Sequence, residues 1–200
     1  MWEALASMSS PGRGGYSAAA RAADTAFQCR SELAELFCLR NPEQVVFTLN
    51  ATHALNIAIK SLVPPRGRAV ISGYEHNAVT RPLAALNART AVAEAPLFEP
   101  EAVTEAFSRL VEPGVDAVIC NHVSNVFGFI QPVEEVAAIC RSRGVPLIID
   151  ASQSAGVLPL SMEALGAAFI AMPGNKGLYG PQGTGVLLCG EGVPARPLLE

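Results

Sequence analysis

The 200-residue chain is short of charge: Asp, Glu, Lys and Arg make up 16% of it, and its 14 Lys and Arg form no run. At a net charge of −4 it has no basic stripe to neutralise phosphates, so a nucleic-acid partner is not expected. Long apolar runs are lacking as well. No stretch approaches the roughly 20 residues that cross a bilayer, which predicts no membrane partner. The start, Met-Trp-Glu-Ala-Leu-Ala-Ser, has neither the basic opening nor the apolar centre of a signal peptide. The five cysteines, at 29, 38, 120, 140 and 189, are odd in number and include no C-x-x-C pair. That usage argues against a disulfide framework or a metal site. It predicts a reducing, cytoplasmic setting in which most thiols are small buried hydrophobes. Internal repeats and low-complexity segments are absent too.

What the chain does have is apolar residues, half of the composition, enough to bury a substantial core. Short apolar runs alternate with helical patterns. A helix is predicted over 17–39, with Ala23, Ala26, Phe27, Leu33, Leu36 and Phe37 spaced for one face. Strands are expected at 45–48, 69–72, 116–120, 145–150, 168–172 and 185–189, and further helices over 52–63, 77–86, 99–110 and 133–143. Pro132 is expected in the first turn of the last of these. Strands alternating with helices imply an α/β fold with a mostly parallel sheet covered on both faces. The step from Met172 to Gly185 is short for a helical crossover, so the last strand is expected to run antiparallel, at an edge.

In such sheets ligands bind beyond the carboxyl ends of the strands. The loops after 48, 72, 120, 150 and 172 hold nearly all the unusual polar residues. Asn50, Ala51 and Thr52 fall where a helix starts, with free N–H groups and a positive dipole end suited to a phosphate. His76 could lie flat over an aromatic ring, and Asn125 could hydrogen-bond a phenolate. Asp150 could pair with a ring nitrogen, and Gln153, three residues on, could also reach the phenolate. Lys176 sits in the glycine-rich run Ala171–Gly185 and offers an amine. Pyridoxal phosphate (PLP) needs such an amine for its Schiff base and an acid opposite its ring nitrogen. Taken singly, each residue has a plainer reading. Thr52 could be an N-cap, His76 a hydrogen-bonded loop residue and Asn125 an Asx turn into Gly128. Asp150 could be a cap and Lys176 a solvated lysine. In order on successive strand ends, they favour the cofactor.

The segments Phe47-Thr-Leu-Asn-Ala-Thr52, Glu75-His-Asn77, His122-Val-Ser-Asn-Val126, Asp150-Ala-Ser-Gln153 and Lys176-Gly-Leu-Tyr-Gly-Pro181 resemble motifs of the class V aminotransferase and cysteine desulfurase family. Pro11-Gly-Arg-Gly-Gly15 resembles that family's N-terminal active-site loop. The resemblance implies the large domain of PLP fold type I over 17–200, preceded by an arm over 1–16. Its sheet is of the seven-stranded type. By that likeness Lys176 forms the Schiff base and acts as the catalytic base, Asp150 holds the pyridine nitrogen and His76 stacks on the ring. Asn125 and Gln153 contact the phenolate oxygen and Thr52 the phosphate. Asn175 stands where the family usually has a phosphate-binding histidine, Pro173 where many members carry serine, and His53 where an acidic residue is common. The family's small C-terminal domain, with its carboxylate-binding arginine and nucleophilic cysteine, has no counterpart in these residues, and none of the five cysteines matches that nucleophile. The implied activity is that of a cysteine desulfurase, converting L-cysteine to L-alanine and an enzyme persulfide. The implied partners are a second copy in a homodimer and a sulfur-acceptor protein. Alternatives are a selenocysteine lyase, an aminotransferase, an epimerase, or a truncated PLP-binding domain without catalysis.

Overall fold

The computed structural model describes residues 2–12 and 14–198. Two compact units divide the chain, Met1–Val45 and Val46–Glu200. The first contains helix α1 (Trp2–Ser7), helix α2 (Ser17–Leu36) and a 3-10 turn (Pro42–Gln44). Asn41 closes that turn as a capping box: its side chain accepts from Glu43 N at 2.9 Å, and its own N–H donates to Gln44 Oε1 at 3.1 Å. The expected apolar face of α2 is only partly realised. Ala19 and Ala34 are buried, as is Phe37 just beyond the helix, whereas Phe27 and Leu36 point to solvent at 57% and 55% exposure. A strip at spacing 3 and 4 through Ala19, Ala23, Ala26, Leu33 and Phe37 leaves Phe27 and Leu36 rotated off it. The Pro11–Gly15 segment lies in this unit, and its Arg13 is outside the described residues.

The second unit carries the sheet. In chain order its elements are β1 (Val45–Thr48), α3 (Ala51–Leu62), β2 (Arg68–Ser72), α4 (Asn77–Ala85), β3 (Arg89–Ala93) and α5 (Pro100–Leu110). There follow β4 (Ala117–Asn121), α6 (Val133–Arg143), β5 (Leu147–Asp150), α7 (Met162–Leu165), β6 (Phe169–Pro173) and β7 (Gly185–Cys189). Pro132 is the residue before α6 rather than within its first turn. Seven strands run in the order β1-β7-β6-β5-β4-β2-β3. β3, β2, β4, β5 and β6 pair in parallel, and β7 runs antiparallel to β6, as the short connection requires. β7 lies one strand in from the edge, because β1 pairs on its outer side.

Burial follows position in the sheet. Strands β4 to β7 are buried along their whole length, the mark of a sheet covered on both faces. β3, an edge strand, exposes Arg89 and Thr90 and buries only Ala93. Leu55, Ile59 and Val79 from α3 and α4 pack with Ile119, Ile148, Phe169 and Leu187 into one apolar cluster. Phe107 on α5 and Val136 on α6 are also fully buried. Among the described residues no helix is long and apolar enough to cross a membrane.

Candidate active site

The carboxyl ends of β1, β2, β4, β5 and β6 open on one cleft of about 220 Å³. Asn50, Ala51, Thr52, His76, Asn125, Asp150, Gln153 and Lys176 all line it. Residues spread over more than a hundred positions of sequence thus meet because parallel strands deliver their following loops to the same side. Asn175 is exposed and is not among the lining residues. Pro173 does line the cleft, together with Leu55, Ala78, Asn121, Val123 and Ser152.

At one end lies the start of α3. Asn50, not Thr52, is its N-cap, accepting from His53 N at 2.8 Å. Ala54 N–H donates to Asn50 O at 3.2 Å. The amides of Ala51 and Thr52 therefore remain as the helix-start donors without a protein acceptor among the described residues, beside the exposed Thr52 hydroxyl. That donor set fits a phosphate. His53 Nδ1 accepts from Leu49 N at 3.3 Å, which stiffens the approach to the helix. Gly185 makes this approach possible from the other side: a Cβ there would sit 2.6 Å from Asn50 C and 2.7 Å from Thr48 Oγ1.

At the other end Asp150 closes β5 and is 5% exposed. One of its oxygens accepts from Ser152 N at 2.9 Å and from the Ser152 hydroxyl. The side chain is therefore held by an Asx-type turn. Burial pushes its carboxyl above the ordinary carboxylate range. The two Ser152 bonds and the charges of His76 and Lys176 work in the opposite direction. A buried acid with His76 and Lys176 nearby is suited to a protonated ring nitrogen. His76 is exposed and caps α4, its Nδ1 accepting from Ala78 N at 3.1 Å, so the imidazole is held at the rim of the cleft. Asn125 is exposed and Gln153 half-buried on the same wall.

Lys176 sits on a loop folded back on itself. Gly174 N donates to Thr184 O at 2.8 Å, Tyr179 N to Lys176 O at 2.9 Å, and Gly180 N to Gly174 O at 2.7 Å. The loop lies against the turn that follows β5. A Cβ on Gly177 would be 2.2 Å from Ala155 O, and one on Gly156, which has φ +77°, would be 2.4 Å from Gly177 O. The two loops meet backbone to backbone, and this fixes Lys176 beside Asp150 and Gln153 on the same cleft. Sequence reasoning missed Ser152, whose signal was the Asp-x-Ser spacing, and Asn121, a polar residue ending an otherwise apolar run.

The fold and cleft together define an α/β domain with an anion-accepting helix start, a buried acid and a loop lysine on successive strand ends. The chain belongs to the aminotransferase class-V family, whose model matches residues 3–199, and its sheet is that of PLP fold type I. It is similar to a probable cysteine desulfurase of Methanothermobacter thermautotrophicus, 32% identical over 189 residues that take in 91% of this chain and 46% of the relative. It is also similar to cysteine desulfurase IscS of Shewanella denitrificans, 34% identical over 79% of this chain and 40% of the relative. Among solved structures, the apo cysteine desulfurase from Thermococcus onnurineus NA1 matches with a TM-score of 0.81. The identity is 27%, over 95% of this chain and 50% of that chain. The chain thus spans about half, or less, of the length of these relatives.

Proposed function

We propose that residues 17–200 form a PLP-binding large domain, preceded by an arm over 1–16, and that this domain serves a cysteine desulfurase-type reaction on L-cysteine. The observation that carries this reading is the single cleft that joins the α3 start, His76, Asp150 and Lys176. Ala51, Thr52 and Asn50 would hold the phosphate, and His76 would cover the ring. Asn125 and Gln153 would orient its oxygen, and Asp150 would keep its nitrogen protonated. When bound, PLP supplies an electron sink for bonds broken at the substrate Cα. Lys176 supplies the amine for attachment and, once released and neutral, takes the Cα proton. Asn175, one residue before Lys176, would be the amide nearest in sequence to take the place of the family's phosphate-binding histidine.

A homodimer accords with the exposed rings on the second unit. Phe98 and Phe127 are 63% and 50% exposed and flank Tyr74 and Phe129 at ring separations of 5.4 to 6.3 Å. A cytoplasmic setting and a sulfur-acceptor protein belong to the same proposal.

A second reading, PLP binding without persulfide chemistry, is favoured by the thiols of the second unit. Cys120, Cys140 and Cys189 are all buried. Burial holds Cys120 well above the ordinary thiol range and pushes Cys140 up to about 12 and Cys189 to about 11. None of these three offers the thiolate that would attack a substrate sulfur. PLP titration separates the readings. The wild-type chain gains a visible band, and borohydride fixes the cofactor on Lys176, whereas Lys176→Ala gains neither. Identical spectra for the two proteins would sink the cofactor assignment. A stable wild-type band without alanine or sulfide from L-cysteine would favour the second reading.

A further inference from the structure

Directly before His76 in the chain stands Glu75, which lies outside the cleft lining and has no part in the chemistry above. The residue is half-buried along its length, yet its carboxyl is enclosed. Oε1 accepts from Ser72 Oγ at 2.6 Å and from Asn121 N at 2.8 Å, so it ties the last residue of β2 to the last residue of β4. Around it, Asn121 Nδ2 donates to Tyr74 O at 2.6 Å, and Gln131 Nε2 donates to Asn121 O at 2.8 Å and Ser72 Oγ at 3.1 Å. Oε2 is buried with no hydrogen-bond partner among the described residues. A carboxylate oxygen without a donor in a closed pocket is costly, whereas a neutral acid is tolerated far better. The titratable groups facing it are Asp150 on β5 and Cys120 on β4, and neither offers a positive charge.

We propose that Glu75 is the positioning residue for His76: its enclosed carboxyl pins the ends of β2 and β4 together and thereby fixes the backbone from which the imidazole projects over the cleft. The adjacency does the work. Residue 75 is anchored at two strand ends, and residue 76, joined to it directly, is thereby held at a set place, where its Nδ1 caps α4. Burial and the neighbouring Asp150 push the Glu75 carboxyl up to about 8, so it stays neutral through most of the physiological range. Ionisation would then add a second negative charge next to Asp150 and loosen the pin. What His76 does once placed rests on the PLP reading, but what Glu75 holds does not.

The test uses the chain without added cofactor, so its result is independent of whether PLP binds. Amide exchange at Asn121 should be at least about tenfold faster in Glu75→Ala than in wild type, because a buried bond to the carboxyl is lost. Glu75→Gln should restore the protection, since an amide oxygen accepts the same two bonds. The His76 ring signal in a 1H–13C spectrum should move in Glu75→Ala and return in Glu75→Gln. A melting temperature lowered in Glu75→Ala with the His76 signal unmoved would show packing alone and overturn the proposal. Should Glu75→Ala not fold, wild type and Glu75→Gln are compared across the pH range around 8. The wild-type His76 signal should follow the carboxyl as it ionises, and that of Glu75→Gln should not. Equal profiles would overturn the proposal.

Discussion

Gly177→Ala tests how Lys176 is held. The added Cβ would lie 2.2 Å from Ala155 O and 2.7 Å from Val157 Cγ2. The nearer atom is a backbone carbonyl in the turn after β5, so no side-chain rotation relieves the contact. One loop must move by about 1 Å, a displacement that moves Lys176 relative to Asp150 and Gln153. Overpacking of this kind costs about 1–3 kcal/mol, which for a chain of this size lowers Tm by about 2–4 °C per kcal/mol. Misplacing the amine by about 1 Å is expected to slow cofactor capture by about a hundredfold, beyond what the stability loss explains. The assay pairs thermal unfolding by circular dichroism with the rate at which the visible band grows on adding PLP. Gly73→Ala is the control, because a Cβ there makes only ordinary contacts, the nearest 3.8 Å away at Ala93 O. It should change neither reading. If Gly177→Ala captured PLP at the wild-type rate and melted within about 1 °C of wild type, the backbone-to-backbone contact would not be what positions Lys176.

Asn50→Ala removes the cap of α3 and should cost about 1 kcal/mol in chemical denaturation, with weaker binding of PLP and of free phosphate alike. Asp150→Asn should do the reverse to stability. It removes a carboxyl that burial disfavours, so the cofactor-free chain should gain about 0.5–2 kcal/mol while PLP affinity falls. An Asp150→Asn protein less stable than wild type would mean that the Ser152 bonds outweigh the burial cost. Glu75 sets a pH dependence with a definite sign. Its carboxyl is raised from an ordinary 4.5 to about 8, so between those values the folded chain keeps a proton that the unfolded chain releases. The stabilisation is complete below about 4.5 and fades as pH rises through about 8; at about 1.36 kcal/mol per pH unit it is roughly 5 kcal/mol in all. Urea unfolding at several pH values should show this decline in wild type and a flatter profile in Glu75→Gln. Parallel profiles would refute the assignment.

Much of this was legible in the chain because burial and period agree in it. β4 to β7 read as unbroken apolar runs since both their faces are covered, and Val133–Arg143 shows its buried stripe through Val136, Ala137 and Cys140. The strand-end loops could be ordered along the sequence because a parallel sheet delivers each to the same side. β3 was missed for the converse reason. Arg89-Thr-Ala-Val-Ala93 has an exposed outer edge, and only pairing with β2 makes it a strand. The α2 stripe was drawn too wide because Phe27 and Leu36 are apolar by type but lie off the strip through Ala23, Ala26 and Leu33. α7, at four residues, is too short to show a period. Glu75 drew no role of its own beyond the Glu75-His-Asn77 motif, because its meaning comes from Asn121, which is 46 residues away.

The electrostatics of the cleft explain what these particular residue types do together. Asp150 is buried at the end of a central strand, where an ionised carboxylate is disfavoured by desolvation. The donors from Ser152 offset part of that cost, and His76 and Lys176 a smaller further part through space. Glu75, near Asp150, stays a neutral acid, so it adds no second negative charge there. The arrangement sets a buried acid, disfavoured in its ionised form by desolvation, at one end of the cleft and a helix start with free amide donors at the other. A single molecule bearing a protonated ring nitrogen at one end and a phosphate at the other satisfies both. On the PLP reading, the cost of burying Asp150 would thereby become selectivity for such a ligand.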